Sequence, residues 1–277
     1  MRFTLSIRRE VEVFPLVCVA LTAAFCSLLV IDVWGLSPET EGRIVCIGGD
    51  MSARVISNHQ RVAARWAGFL YLFLMVCGVV GEFVARGSLI VDGDMAKTMS
   101  NMAASPHLFR VGILCDLTAF AGDVAIAVAL YVVLSPVGKY LALMSAFWRV
   151  AEAGVLGAIT LNSVTMLLLL DPRYGHSFSP AQLQSLVELF NDSHDVGYTI
   201  GMLFLALGCM GFSFLLIRSR YVPKLLAVFG LIAYASMFAG CLITMVFPDT
   251  PYGLGFYMPA GIYEIVIGLW LLIRGVR

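Results

Sequence analysis

A succession of apolar segments, most of them long enough to cross a bilayer, dictates what this chain can be. They begin at Trp66, Val111, Tyr140, Gly197, Leu225 and Pro259. A hydrocarbon core about 30 Å thick is crossed by about 20 apolar residues in helix, which satisfies every backbone hydrogen bond inside the segment. Composition points the same way, with 60% hydrophobic and only 13% charged residues, where a soluble domain carries about 25% charged. The expected fold is an all-α polytopic transmembrane helical bundle of six core helices. The lipid bilayer is the expected partner. Lys and Arg number 18 and so do Asp and Glu, so no global basic field suits nucleic acid.

The chain divides into an N-terminal segment, 1–50, and a membrane domain, 61–277. In the first, an apolar run from Phe14 to Ile31 follows Arg2, Arg8 and Arg9. It fits a seventh helix, a signal-like segment, or sequence upstream of a start at Met51. Within the domain, Arg54, Arg61, Arg65, Lys139, Arg218, Arg220, Lys224, Arg274 and Arg277 fall on one side if six spans follow Trp66. Cationic loops face the cytoplasm. The expected location is therefore a bacterial plasma (inner) membrane, multi-pass, with the C-terminus cytoplasmic. The seven cysteines show no CxxC pair and fall mostly in apolar segments, as packing residues do.

Local signals place the connections. Ser135-Pro136-Val137-Gly138-Lys139 reads as a turn between two spans, and Gly87 to His107 as a polar loop holding the turn Asp92-Gly93-Asp94. From Tyr140 to Leu170 the run is about 45 Å long at 1.5 Å per residue, which calls for tilt, protrusion, or a kink near Gly154 or Gly157. Ser179-Pro180 followed by AQLQSLVELF reads as a capped, short amphipathic helix at the surface. Small residues at Gly197 and Gly201 suit close helix packing, and the aromatic residues suit interface belts or packing.

The candidate site comes from ionisable residues inside these segments, where an unpaired charge is costly. Counting from one end at 1.5 Å per residue puts Asp123 about 16 Å deep, Arg149 about 14 Å and Glu264 about 15 Å. Glu152, three residues beyond Arg149, shares its helix face. These four form an expected inner cluster with more acid than base. At least one carboxyl would then hold a proton or share a cation. An outer cluster is expected from Glu82, Asp116, Asn162 and His194, with Tyr198 nearby and Arg86 pairing with Glu82.

Several short motifs in series carry a resemblance: RWAGFLYL at Arg65 to Leu72, GEFVARGSLIV at Gly81 to Val91, LFRVGILCDL at Leu108 to Leu117, ALYVVLSPVGKYLAL at Ala129 to Leu143, FWRVAEA at Phe147 to Ala153, IRSRYVPKLLAV at Ile217 to Val228 and LWLLIRG at Leu269 to Gly275. In their order and spacing, residues 61–277 resemble the bacterial six-span membrane family filed as domain-of-unknown-function family 4386. The resemblance implies a six-helix membrane bundle and no established activity.

Three functions fit the buried polar residues. The first is small-molecule or ion transport, with a small ligand, proton or cation at the inner cluster. The second is a lipid-modifying intramembrane enzyme using Asp116, Glu82 and His194, although HExxH, GxSxG and GxxxxGK[ST] are all missing. The third is a structural or sensory protein whose ion pairs fix helix packing. No cofactor, metal site or catalytic residue is assigned.

Overall fold

The computed structural model describes residues 56–248 and 253–277. The N-terminal run Phe14 to Ile31 and Met51 lie outside the described residues. Seven helical elements follow one another: α1 (Asn58–Gly78, continuing as a π-helix over Val79–Arg86), α2 (Met95–Ala104), α3 (Pro106–Leu169), α4 (Pro172–Gly175), α5 (Pro180–Ser219), α6 (Lys224–Val246) and α7 (Gly253–Ile273). No strand occurs among the described residues. Five of these helices are long and apolar enough to cross a membrane.

The longest, α3, is a hairpin. Its 64 residues stay helical except at Gly138, where φ is −169° and ψ is 86°. Arg149 in the second arm bonds Asp123 in the first, although 26 residues of straight helix would separate them by about 39 Å. The arms therefore fold back on each other, as the Ser135 to Lys139 turn predicts. The second arm runs through Gly154 and Gly157 with helical backbone, so the helix is not broken at either glycine.

Three elements depart from the sequence reading. The loop between Gly87 and His107 contains α2, started by Asp94, whose Oδ1 accepts from the Lys97 N–H at 2.9 Å. Gly93, at φ +74°, makes the turn into it. Thr98 and Met102 are fully buried, so this segment is a packed element. The capped helix at Ser179 exists, with Ser179 and Gln182 forming a reciprocal capping box. It does not end at Phe190, however, but continues as one 40-residue helix to Ser219. No Gly or Pro interrupts residues 181–196, so nothing stops propagation. Finally, α7 starts at Gly253, before Pro259. A proline is tolerated inside membrane helices when neighbours compensate.

The main core joins α1, both arms of α3, α5, α6 and α7. Close approach depends on small residues. A Cβ on Gly201 would stand 2.5 Å from Leu156 Cδ2, and one on Gly197 would overlap Ile159, so the packing role read for these glycines holds. A second, smaller core forms where Leu89, Met102, Phe109, Met166 and Val187 meet. It ties α2 to the outer ends of α3 and α5. Just beyond it, Arg173 binds Asp171 through its side chain and its backbone N–H, holding that partly exposed carboxyl down at about 2.

At the opposite end, Gln60 Nε2 donates to Val133 O at 2.9 Å and to Tyr221 OH at 3.3 Å. The Arg277 N–H donates to Tyr221 O at 3.2 Å. These bonds gather the start of α1, the α3 turn, the α5–α6 connection and the last residues at one end. That end carries Arg61, Arg65, Lys139, Arg218, Arg220, Lys224, Arg274 and Arg277, and no carboxylate side chain among the described residues.

Candidate functional site

Two clusters of charge sit at different levels, joined by the first arm of α3, where Asp116 and Asp123 are seven residues apart. Two turns of helix put them on one face, about 10 Å apart along the axis. Asp123 belongs to the inner cluster and Asp116 to the outer.

The inner cluster is built on Arg149. Its side chain is 2% exposed and forms ion pairs with Asp123 and with Glu152, the latter with Nη1 to Oε2 at 2.8 Å. The contact with Glu152 lacks hydrogen-bond geometry, and among the described residues Arg149 Nε has no hydrogen-bond partner. Glu264 on α7 lies within electrostatic reach of Arg149 and Asp123. Its Oε1 accepts from Tyr234 OH at 3.0 Å. Asp123, Arg149 and Glu264, placed at one level by counting, and Glu152, placed by its helix face, thus lie within ion-pair or electrostatic reach of one another.

Tyrosines complete this level. Tyr71, Tyr234 and Tyr263 are buried, and Tyr234 packs edge-on against Tyr263 at 5.6 Å. With Cys209 and Ser213 they line a cavity of about 10 Å³, close to the smallest space that holds a water. Sequence reasoning assigned these rings to belts or packing. Packing is correct, but Tyr234 is also the partner of Glu264. Gly208 lets α5 approach closely, since a Cβ there would stand 2.8 Å from Ser145 O and 3.0 Å from Arg149 Cγ.

The outer cluster is built on Arg86, the last residue of the π-helix. Such segments are rare and frequently occur at functional sites. Arg86 Nη2 is 3.2 Å from both Asp195 Oδ1 and Asn191 Oδ1, and Nε is 3.9 Å from Glu82. The i,i+4 pair with Glu82 is therefore present but is the longer contact. Asp116 lies within electrostatic reach of Glu82 and Arg86, and Gly81 packs against it, with a Cβ there standing 2.9 Å from Asp116 Oδ1.

Of the four outer residues named from sequence, Asn162 stands apart, and His194 reaches the cluster only electrostatically, through Arg86. His194 Nδ1 is 3.3 Å from Ser163 Oγ and from Ile159 O, and Asn162 Nδ2 donates to Ser193 Oγ at 3.2 Å. Among the described residues no hydrogen bond or ion pair joins His194 to Glu82 or Asp116. His194 also sits inside α5 and is buried, where the sequence reading placed it near a loop. Asp195 and Asn191 were missed for the same reason: a continuous helix brings them to Arg86, and the sequence suggested a connection there. Tyr198 spans the levels, within reach of Glu82 and Asp116 on one side and Glu152 on the other. Among the described residues no group of His, Cys, Asp and Glu is arranged to hold a metal.

An all-helical bundle with long apolar helices and buried ion pairs defines a multi-pass integral membrane protein. Its family follows from comparison with known sequences: residues 66–275 match the domain of unknown function DUF4386. The chain belongs to that family. No curated protein and no solved structure matches it.

Proposed function

We propose that this protein handles a small cation or a proton within the membrane, with Asp123, Arg149, Glu152 and Glu264 as its site. The observation that carries this reading is stoichiometric. Three carboxyl groups surround a single guanidinium in the core. If all were ionised, the cluster would hold two surplus negative charges away from water, which a low dielectric strongly disfavours. A proton or a bound cation relieves that surplus, and a group that must gain and release one is what a coupled carrier needs. Asp116 and Tyr198 supply polar groups between this level and the outer end.

The topology that goes with this function has both arms of α3 crossing the bilayer, giving six crossings in one membrane domain over 61–277. The basic end, with the C-terminus, faces the cytoplasm of a bacterium, whose inner membrane holds the protein. A structural role is the second reading, supported by the direct pairing of Arg149 with Asp123 on the other arm, which fixes the register of the hairpin.

Proteoliposomes loaded with a pH-sensitive dye and given an imposed potential separate the two. The proton-handling reading expects flux from the unaltered protein, lost in Glu264→Gln and Asp123→Asn variants that still insert. Dye traces from protein-containing vesicles that match empty ones, with either proton or alkali cation gradients, would leave only the structural role.

A further inference from the structure

At the basic end of the bundle, Ile56, Arg218, Ser219, Tyr221 and Arg277 enclose a cavity of about 280 Å³. Its wall is held by the chain itself. Arg220 ends α5 in the left-handed conformation, at φ 59°, which turns the chain so that Tyr221 folds beneath the helix end. The Tyr221 N–H then donates to Ser219 Oγ at 3.3 Å, and the Arg277 N–H donates to Tyr221 O at 3.2 Å. Tyr221 is buried, so this floor does not depend on a ligand.

Arg218 and Arg277 line this space, the Arg277 guanidinium lying 6.0 Å from the Trp270 ring centroid, and among the described residues neither forms an ion pair with a carboxylate. Among the described residues no Asp or Glu side chain lies at this end, so cationic side chains dominate it. A planar guanidinium binds phosphate through paired N–H donors. Beside the pocket the helix flanks are apolar and open: Leu225 is 82% exposed and Ile273 69% exposed. A cationic pocket bordered by apolar surface matches a molecule with an anionic head and hydrocarbon tails.

We propose that this pocket binds a phosphate-bearing anion, and that its source is the headgroup of an anionic phospholipid, with Arg218 and Arg277 on the phosphate and the acyl chains along Leu225 and Ile273. Free inorganic phosphate shares the head chemistry but has nothing to place on the apolar flanks. The site is separate from the inner cluster and does not rest on its role in proton or cation handling.

The test is thermal unfolding of the purified full-length protein in detergent with three additions: phosphatidylglycerol, phosphatidylcholine and inorganic phosphate. Phosphatidylglycerol should raise Tm in a saturable way that weakens with salt, and phosphatidylcholine should not. Arg218→Gln with Arg277→Gln should weaken the response at least about tenfold, from the attraction each cation gives near an anionic headgroup. Arg218→Lys with Arg277→Lys should give an intermediate response, keeping the charge but losing the paired donors, and Arg173→Gln, at the other end, should keep all of it. Equal stabilisation by the two lipids, or a full response in the double glutamine variant, overturns the proposal. Stabilisation by inorganic phosphate with none by phosphatidylglycerol overturns the lipid assignment. If the glutamine variant does not fold, the lipid selectivity and salt dependence of the unaltered protein decide the matter alone.

Discussion

The two charge clusters have the same formula and opposite settings. Each places one arginine among three carboxyl groups: Arg149 with Asp123, Glu152 and Glu264, and Arg86 with Glu82, Asp116 and Asp195. In the inner cluster the Glu152 side chain is 1% exposed, whereas Asp195 and Glu82 in the outer one are 62% and 57% exposed. The difference decides what the charges can do. Water screens Glu82 and Asp195, so those two carboxyls can be charged at modest cost, while Asp116 is only partly exposed. The inner surplus has no such screen and must be met by a proton, a cation or the tyrosine hydroxyls. Charge count alone therefore does not mark a site, and position relative to water does.

Removing each arginine is the most direct attack on this contrast. Arg149→Ala strands the buried Glu152 and the partly buried Asp123 and Glu264, and truncating one partner of a buried pair costs about 3–5 kcal/mol. That loss should appear as a large fall in Tm or in resistance to a denaturing detergent. A fall no greater than that of Arg86→Ala would erase the distinction between the clusters. Next in size is Gly208→Ala, which sharpens the inner half of the comparison by moving α5 without changing any charge. Its methyl would meet the Ser145 carbonyl oxygen, an overpacking worth about 1–3 kcal/mol. The smallest effect belongs to the outer half. Asp195→Asn removes an exposed ion pair and should change stability by about 1 kcal/mol or less, with a dependence on salt that Arg149→Ala lacks.

The inner cluster was legible in the sequence because its members interrupt long apolar runs, so that each position could be converted to a depth. Helix rise does the rest. The outer cluster was legible only in part. Glu82 and Asp116 lie in apolar runs and were found, but Asp195 and Asn191 lie in a polar stretch that reads as surface. Their alignment with Arg86 follows from the unbroken length of α5, and polar residues at a helical spacing give no warning of that. Tyr234 escaped for a different reason. An aromatic ring in a membrane helix has an ample explanation in packing, and its hydroxyl becomes informative only when an acid on another helix is found facing it. The π-helix at Val79–Arg86 left no signal of its own, since its residues read as the continuation of the apolar span that begins at Trp66.

The single extended residue at Gly138 bears on how the chain is made as well as on its finished shape. Asp123 and Arg149 lie on the two arms that it joins, and each alone would resist transfer from a ribosome-bound channel into lipid. A connection this short leaves the first arm no slack to depart before the second has emerged. On the six-crossing reading, the arms leave the channel as a pair, with opposite charges already matched. On that reading, the tight turn keeps the two charges adjacent from the moment both arms are in the membrane.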